Sequence, residues 1–218
     1  MPLEQLEFGS LLSYCPRDDG SQENRRSRQI MTFVKSDSFV ENPPIPISTW
    51  IAKTMEQLGS SLPFNSFFQP GTVLVPLPRS SLLQPNSLWV PDRIANALVN
   101  RGLGGYVLRC LIRQTPVRKS STSPADLRPS PSEHFHSILV QGNLESAKEI
   151  VLVDDIITRG HTMLGAAWRL LEAFPNVRIR GFAAMRTISY PRSFSKIYDP
   201  RIGSINYRGV SDDCIRDP

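Results

Sequence analysis

The stretch Ile150-Val-Leu-Val-Asp-Asp-Ile-Ile-Thr-Arg-Gly-His-Thr162 decides how this chain folds. Its first four residues are apolar and mostly β-branched, the composition of a strand buried on both faces. With Glu149 before them they predict a strand over Glu149–Val153. Two adjacent carboxylates, Asp154 and Asp155, fall at the carboxyl end of that strand. A Thr/Gly turn then opens a helix over Thr162–Phe174, where Leu164, Ala167, Trp168 and Leu171 recur at helical spacing. In open α/β sheets ligands bind just outside the carboxyl ends of the strands. A helix N-terminus adds unpaired N–H groups and a partial positive charge, which favour phosphate. Gly160 lets the backbone approach such a ligand closely, Thr158 and Thr162 add hydroxyl donors, and Asp154 and Asp155 can accept from the vicinal hydroxyls of a ribose. An ordinary strand–turn–helix with capping acids is the plainer alternative. Paired acids followed by Thr-x-Gly-x-Thr at such a junction make the ligand site the stronger reading.

Upstream, Thr72-Val-Leu-Val-Pro76 reads as another buried strand, followed by the turn Leu77-Pro78-Arg79-Ser80. Ser48 or Thr49 can cap a helix whose Ile51, Met55 and Leu58 share a stripe. Asp92 is expected to cap a second helix, with Ile94, Ala95 and Leu98 inward and Gly102 at its end. Tyr106–Leu111, Ser137–Val140 and Arg178–Met185 read as further strands. Strands alternating with helices imply a doubly wound, mainly parallel sheet in a single domain over residues 1–218, with its core at about 25–190. Residues 16–30 are polar and irregular and read mostly as a loop. Within them Arg25, Arg26 and Arg28 form either a solvated face or a phosphate-facing cluster. The segment 112–136 is rich in Ser, Pro and basic residues, and a loop of about 25 residues in a compact domain is commonly functional. It reads as a mobile flap, with an idle insertion as the alternative. The tail 191–218 has weak periodicity and receives no assignment.

The chain has 218 residues, 40% of them hydrophobic, enough for a real core without disulfides or metal. No stretch approaches the roughly 20 apolar residues of a membrane span. The start, Met1-Pro-Leu-Glu-Gln-Leu-Glu, lacks a secretory pattern, so a cytoplasmic location is expected. Cys15, Cys110 and Cys214 are scattered and odd in number, which argues against a disulfide framework or a four-thiolate zinc site. His134 and His136, taken as alternating along a strand, can hold a metal, but no third ligand has suitable local spacing. The net charge of +5 suits a phosphorylated substrate as well as nucleic acid. The basic residues are dispersed and lack interleaved aromatics, so sequence-specific nucleic-acid recognition is not expected.

The whole run Ile150–Thr162 resembles the phosphoribosyl-pyrophosphate (PRPP) signature of type I phosphoribosyltransferases. Val75–Ser80 resembles the loop that receives pyrophosphate in that family, with Arg79 as the charge partner and Ser80 beside it. Gln29–Lys35 looks like the early basic helix of the ComF-like branch, and Arg113-x-x-Pro-x-x-Lys119 through Arg128 looks like its flexible loop. The zinc-binding cysteines found near the amino terminus of many ComF-like proteins are missing here. Arg159 and His161 stand where small residues are commoner, and they would crowd a phosphate cradle. The resemblance implies the type I phosphoribosyltransferase fold, an α/β doubly wound parallel sheet with a small variable hood.

It also implies transfer of the ribose 5-phosphate of PRPP to a small-molecule acceptor, a base or amine, with release of pyrophosphate and with Mg²⁺ bound through PRPP. Asp154 and Asp155 would fix the ribose, and Thr158, Arg159, Gly160, His161 and Thr162 would cradle the 5′-phosphate. Arg79, Arg113, Lys119 and Arg128 would meet the pyrophosphate, with Asp154, Asp155, Arg113 and Lys119 serving catalysis. A non-catalytic PRPP- or nucleotide-binding regulator, or a DNA-uptake factor of ComF type, is the competing expectation. A homodimer is compatible with either.

Overall fold

A computed structural model of the chain describes residues 3–118, 128–142 and 147–217. In chain order the elements are β1 (Gln5–Tyr14), α1 (Gln22–Ser36), β2 (Phe39–Val40), β3 (Ile45–Pro46), α2 (Ile47–Leu58), β4 (Val73–Pro76), α3 (Val90–Val99), β5 (Tyr106–Val107), β6 (Leu111–Arg113), α4 (Pro131–Ser137), β7 (Ile138–Val140), β8 (Glu149–Ile157), α5 (His161–Ala173), β9 (Arg178–Thr187), β10 (Tyr198–Arg208) and β11 (Asp213–Asp217). Seven strands form the central sheet in the order β11-β10-β1-β9-β8-β4-β5. The five strands from β1 to β5 in that order run parallel, while β10 and β11 are antiparallel additions at one edge.

Period-two alternation along the parallel strands divides the core between two faces. Val151, Val153, Leu74 and Phe182 face one side, where Val34 of α1, Ile51 and Met55 of α2, and Ile94 and Leu98 of α3 cover them. Ile150, Leu152, Val73 and Val75 face the other, under Met163, Leu164, Ala167 and Leu170 of α5. Helices on both faces of a mainly parallel sheet make the doubly wound α/β arrangement that the strand–helix alternation predicted. Among the described residues no helix is long and apolar enough to cross a membrane.

Several local expectations need correction. Residues 16–30 are not mostly loop, because α1 starts at Gln22, capped by Ser21, which accepts from the Asn24 amide at 3.1 Å. The helix escapes apolar periodicity because its inward positions include Asn24 and Ser27, buried against backbone rather than hydrocarbon. Asn24 Nδ2 donates to Arg17 O at 2.9 Å and Ser27 Oγ to Asn24 O at 2.7 Å. Arg25 and Arg26 are exposed, and Arg28 pairs with Asp18 at 2.7 Å, so this cluster is a solvated face.

Neither Ser48 nor Thr49 caps α2. The buried Asp37 carboxylate does so from the end of α1, accepting from the Ser48 amide at 3.0 Å. Asp92 lies inside the first turn of α3, where it pairs with Arg109 at 2.6 Å. The predicted strand Tyr106–Leu111 divides, β5 closing the main sheet and β6 pairing with β7 in a separate ribbon. His134, His136 and Ser137 lie on α4, not on a strand. Two positions apart on a helix point roughly 200° apart, so His134 is buried while His136 is exposed, and the pair cannot share an ion. The three cysteines are buried and unbridged.

Candidate functional site

The sheet leaves a crevice where β4 and β8 part. Their pairing ends at Pro76–Val153, and Leu77 N adds one more bond to Val153 O at 2.9 Å. Beyond that point β8 continues alongside β9 alone, as far as Ile157. From β4 the chain leaves through α3 to β5 at one edge, and from β8 it leaves through α5 to β9 in the opposite direction. Such a reversal is the topological switch point at which open α/β sheets bind ligands. A cavity of about 450 Å³ opens there. Its lining includes Arg79, Ser80, Arg113, Arg128, Asp154, Asp155 and every residue from Thr158 to Thr162. The sequence-predicted site residues therefore converge on one crevice, except Lys119, which lies outside the described residues.

Asp154 and Asp155 form the floor. One oxygen of each accepts from the next backbone amide, at 2.9 Å from Asp155 N and 2.8 Å from Ile156 N. These bonds hold both carboxylates against the strand end. Burial, reinforced by the charge of Asp155, raises the Asp154 pKa well above the ordinary carboxylate value, while the charge of Lys35 opposes the shift.

The turn after β4 is fixed through its backbone. Arg113 Nε donates to Arg79 O at 3.0 Å, Val117 N donates to Ser80 O at 2.9 Å, and Trp89 Nε1 donates to Leu77 O at 2.8 Å. Among the described residues Arg79 is tied at one nitrogen, Nη1 to Leu88 O at 3.0 Å. Arg113, expected in a mobile loop, lies on β6 and is 5% exposed. Its other nitrogens meet Ser137 Oγ and His134 Nδ1, and burial brings its pKa down to about 10. It anchors the base of the segment 112–136 instead of reaching from its tip. The central part of that segment, residues 119–127, lies outside the described residues.

The loop 158–162 turns through Gly160 at φ +96°, where a Cβ would meet Ile205 at 2.6 Å. The N-cap of α5 is Gly160, so no N-cap side chain takes up the amides that a helix leaves unpaired in its first turn. The bulk of Arg159 and His161 does not fill the cradle. Arg159 pairs with Asp213 at 3.5 Å. His161 is 7% exposed, with Nε2 2.7 Å from Asp213 Oδ1 and Nδ1 2.8 Å from Pro129 O. Asp213 belongs to β11, in the tail that received no assignment. That hairpin backs the whole loop, because Arg216 Nε donates to Thr158 O at 2.6 Å and Cys214 Sγ contacts Arg159 O at 3.2 Å.

Sequence reasoning also missed Arg118, Lys35, Tyr14 and His134, all on the cavity lining. Arg118 stood beside Lys119 in a visible basic run. The other three come from elements distant in sequence, and only the fold brings them here.

No protein-family model and no curated protein matches the chain. Among solved structures it is similar to a hypoxanthine phosphoribosyltransferase from Staphylococcus aureus in two crystal forms. The tetragonal form is 13% identical over 65% of this chain and 64% of that chain, with a TM-score of 0.34. The orthorhombic form is 14% identical over 66% of this chain and 75% of that chain, also with a TM-score of 0.34.

Proposed function

We propose that this chain is a phosphoribosyltransferase of the type I fold, which binds PRPP with Mg²⁺ and passes its ribose 5-phosphate to a base or amine. The observation that carries the reading is the convergence of three unlike groups on one crevice. Paired carboxylates, an uncapped helix N-terminus and cationic side chains line the same cavity at a switch point. These are the groups that a vicinal diol, a phosphomonoester and a pyrophosphate require. Asp154 and Asp155 would accept from the ribose hydroxyls, the loop 158–162 would hold the 5′-phosphate, and Arg79 with Arg118 and Arg128 would face the pyrophosphate.

In the reaction the bond from C1 of the ribose to the pyrophosphate oxygen breaks, and its electron pair leaves with pyrophosphate. A nitrogen lone pair of the acceptor forms the new bond to C1, and the nitrogen gives up its proton. Positive charge develops on the ribose between these events, so an electrostatically prearranged, rigid site lowers the barrier. The carboxylate oxygens of Asp154 and Asp155 would suit a Mg²⁺ ion held mainly by ligand phosphates and water, and such an ion would supply neutralisation of the departing charge.

One observation favours the competing reading, a PRPP- or nucleotide-binding regulator without turnover. Arg113, a candidate catalytic residue, is engaged by Arg79 O, Ser137 and His134. Two measurements separate the readings. Calorimetry with PRPP and Mg²⁺ should show saturable binding under either. Pyrophosphate release across a panel of bases and amines is expected for the transferase, and binding without release from any acceptor would favour the regulator.

A further inference from the structure

His134 is 2% exposed, behind the loop 158–162 rather than within it. Helix α4 can press against α5 because Gly165 carries no side chain. A Cβ there would lie 2.5 Å from Pro131 O and 2.8 Å from His134 Cβ. This close packing sets the imidazole beside the first turn of α5, with Nε2 3.2 Å from Thr162 Oγ1 and Nδ1 3.4 Å from Arg113 Nη2.

Proton placement follows from what each partner can do. A guanidinium only donates, so Nδ1 of His134 must accept and the ring proton sits on Nε2. Nε2–H then donates to Thr162 Oγ1. Arg113 is itself held by Arg79 O and by Ser137 Oγ, which in turn donates to His134 O at 3.0 Å. Burial, then the charges of Arg113 and His161, hold the imidazole down to about 3, so it carries a single N–H at neutral pH. Among the described residues Thr162 Oγ1 has no other hydrogen-bond partner. A hydroxyl that accepts from His134 keeps its own hydrogen to donate, and Thr162 lines the crevice.

We propose that His134 is a positioning residue, which fixes the Thr162 hydroxyl as a donor toward a phosphate at the N-terminus of α5. The inference rests on the phosphoribosyltransferase reading. It adds a residue outside the signature and the direction of one proton. The chain Ser137–Arg113–His134–Thr162 also ties the base of the segment 112–136 to the phosphate loop, through three buried groups and the half-buried Thr162.

Titrations of the full chain with ribose 5-phosphate, PRPP–Mg²⁺ and pyrophosphate test this. Replacing His134→Phe should weaken ribose 5-phosphate and PRPP about tenfold, the scale of one hydrogen bond to a charged group. Pyrophosphate, which has no 5′-phosphate, should bind as before, an outcome that general loosening of the fold would not give. His134→Gln places an amide N–H near Thr162 and should recover most of the loss. Thr162→Val should match His134→Phe, and combining the two should cost no more than either alone. Long-range ¹H–¹⁵N correlation of the wild-type ring keeps the proposal testable even where His134→Phe fails to fold, and should show a proton on Nε2 and none on Nδ1. Equal ribose 5-phosphate affinity in wild type and His134→Phe, additive losses, or a proton on Nδ1 would each overturn the positioning role while leaving the phosphoribosyltransferase reading intact. A wild-type protein that binds neither ribose 5-phosphate nor PRPP would overturn that reading, and this inference with it.

Discussion

The loop 158–162 has two sides, and they use their polar groups in opposite ways. Toward the hairpin of β10 and β11 almost every group is engaged. Arg216 holds Thr158 O, Cys214 holds Arg159 O, and Asp213 meets both Arg159 and His161. Asp212 extends the net to Ser132 at 2.8 Å, Tyr207 at 3.1 Å and the Ser130 hydroxyl. Toward the crevice, two carboxylates lie side by side, the helix amides face no side-chain cap, and Thr162 has a donor to offer. Burial penalises unpartnered polar groups, so a face that keeps them is held at some cost in stability. The hairpin side supplies rigidity, and the crevice side keeps its hydrogen-bonding capacity for a ligand.

The sharpest break of this contrast comes from the floor. Replacing Asp154→Asn together with Asp155→Asn should abolish PRPP–Mg²⁺ binding in calorimetry, a loss of at least about a hundredfold when two charged acceptors go. The fold should survive, because neither carboxylate has a cationic hydrogen-bond partner among the described residues. Binding at wild-type strength would remove the ligand reading of the crevice.

A change on the hairpin side should do the reverse, costing stability first and affinity second. Arg216→Met keeps much of the volume but leaves Thr158 O and Thr187 O without their guanidinium donor. Chemical denaturation should show a loss of about 2–3 kcal/mol, with PRPP affinity falling less than in the double Asp variant. Gly160→Ala tests the loop itself, where φ is +96° and the added Cβ would sit 2.6 Å from Ile205. A loss of about 1–3 kcal/mol is expected. Adding Ile205→Val should restore only part of it, because it relieves the clash and not the backbone strain.

The two sides also differ in how plainly the sequence announces them. Ile150–Thr162 was legible because strand, acids, turn and helix are contiguous, and each residue type has one local reason to be there. The position of Arg79 followed from its place after a buried strand. The hairpin side was not legible. In β10, Tyr198–Arg208, only Ile205 is buried, and in β11 Arg216 and Cys214 turn to the carbonyls of Thr158 and Arg159 rather than to a hydrocarbon core. β1 went unassigned as well, although eight of its ten residues are buried, all but Gln5 and Glu7, because Gly9 and Ser10 interrupt its apolar run. The first half of α1 was lost for a related reason, with Asn24 and Ser27 on its inward face, whereas Gln29–Lys35, expected as a helix through the resemblance, lies within it. His134 was misread because a His-x-His pair means opposite things on a strand and on a helix. Elements stabilised by hydrocarbon announce themselves in a single sequence, whereas elements stabilised by hydrogen bonds to distant backbone do not.

The smallest expected effect concerns one acid from each side, and its sign is the test. Asp154 has its pKa raised by burial and by Asp155. Between the ordinary value of 3.8 and the raised folded value, the folded chain binds more protons than the unfolded one, so stability falls as pH climbs through that window. Asp154→Asn removes the charge and should raise Tm at pH 7 by about 2–4 °C, the scale of 1 kcal/mol in a chain of this size. The gain should vanish once the pH falls below the ordinary carboxylate value. Burial alone would raise Asp213 too, but the Cys214 amide, the His161 ring and the charge of Arg159 outweigh it and leave the carboxyl below its ordinary value. Its stabilisation is present above the unfolded value and is lost as pH falls through the folded one. Asp213→Asn should therefore lower Tm at pH 7, with the deficit shrinking in acid. Calorimetric scans of both variants from pH 3 to pH 7 read the two slopes against wild type. Slopes of the same sign would mean that the crevice acid is as well partnered as the hairpin acid, and the contrast between the two sides would fall with it.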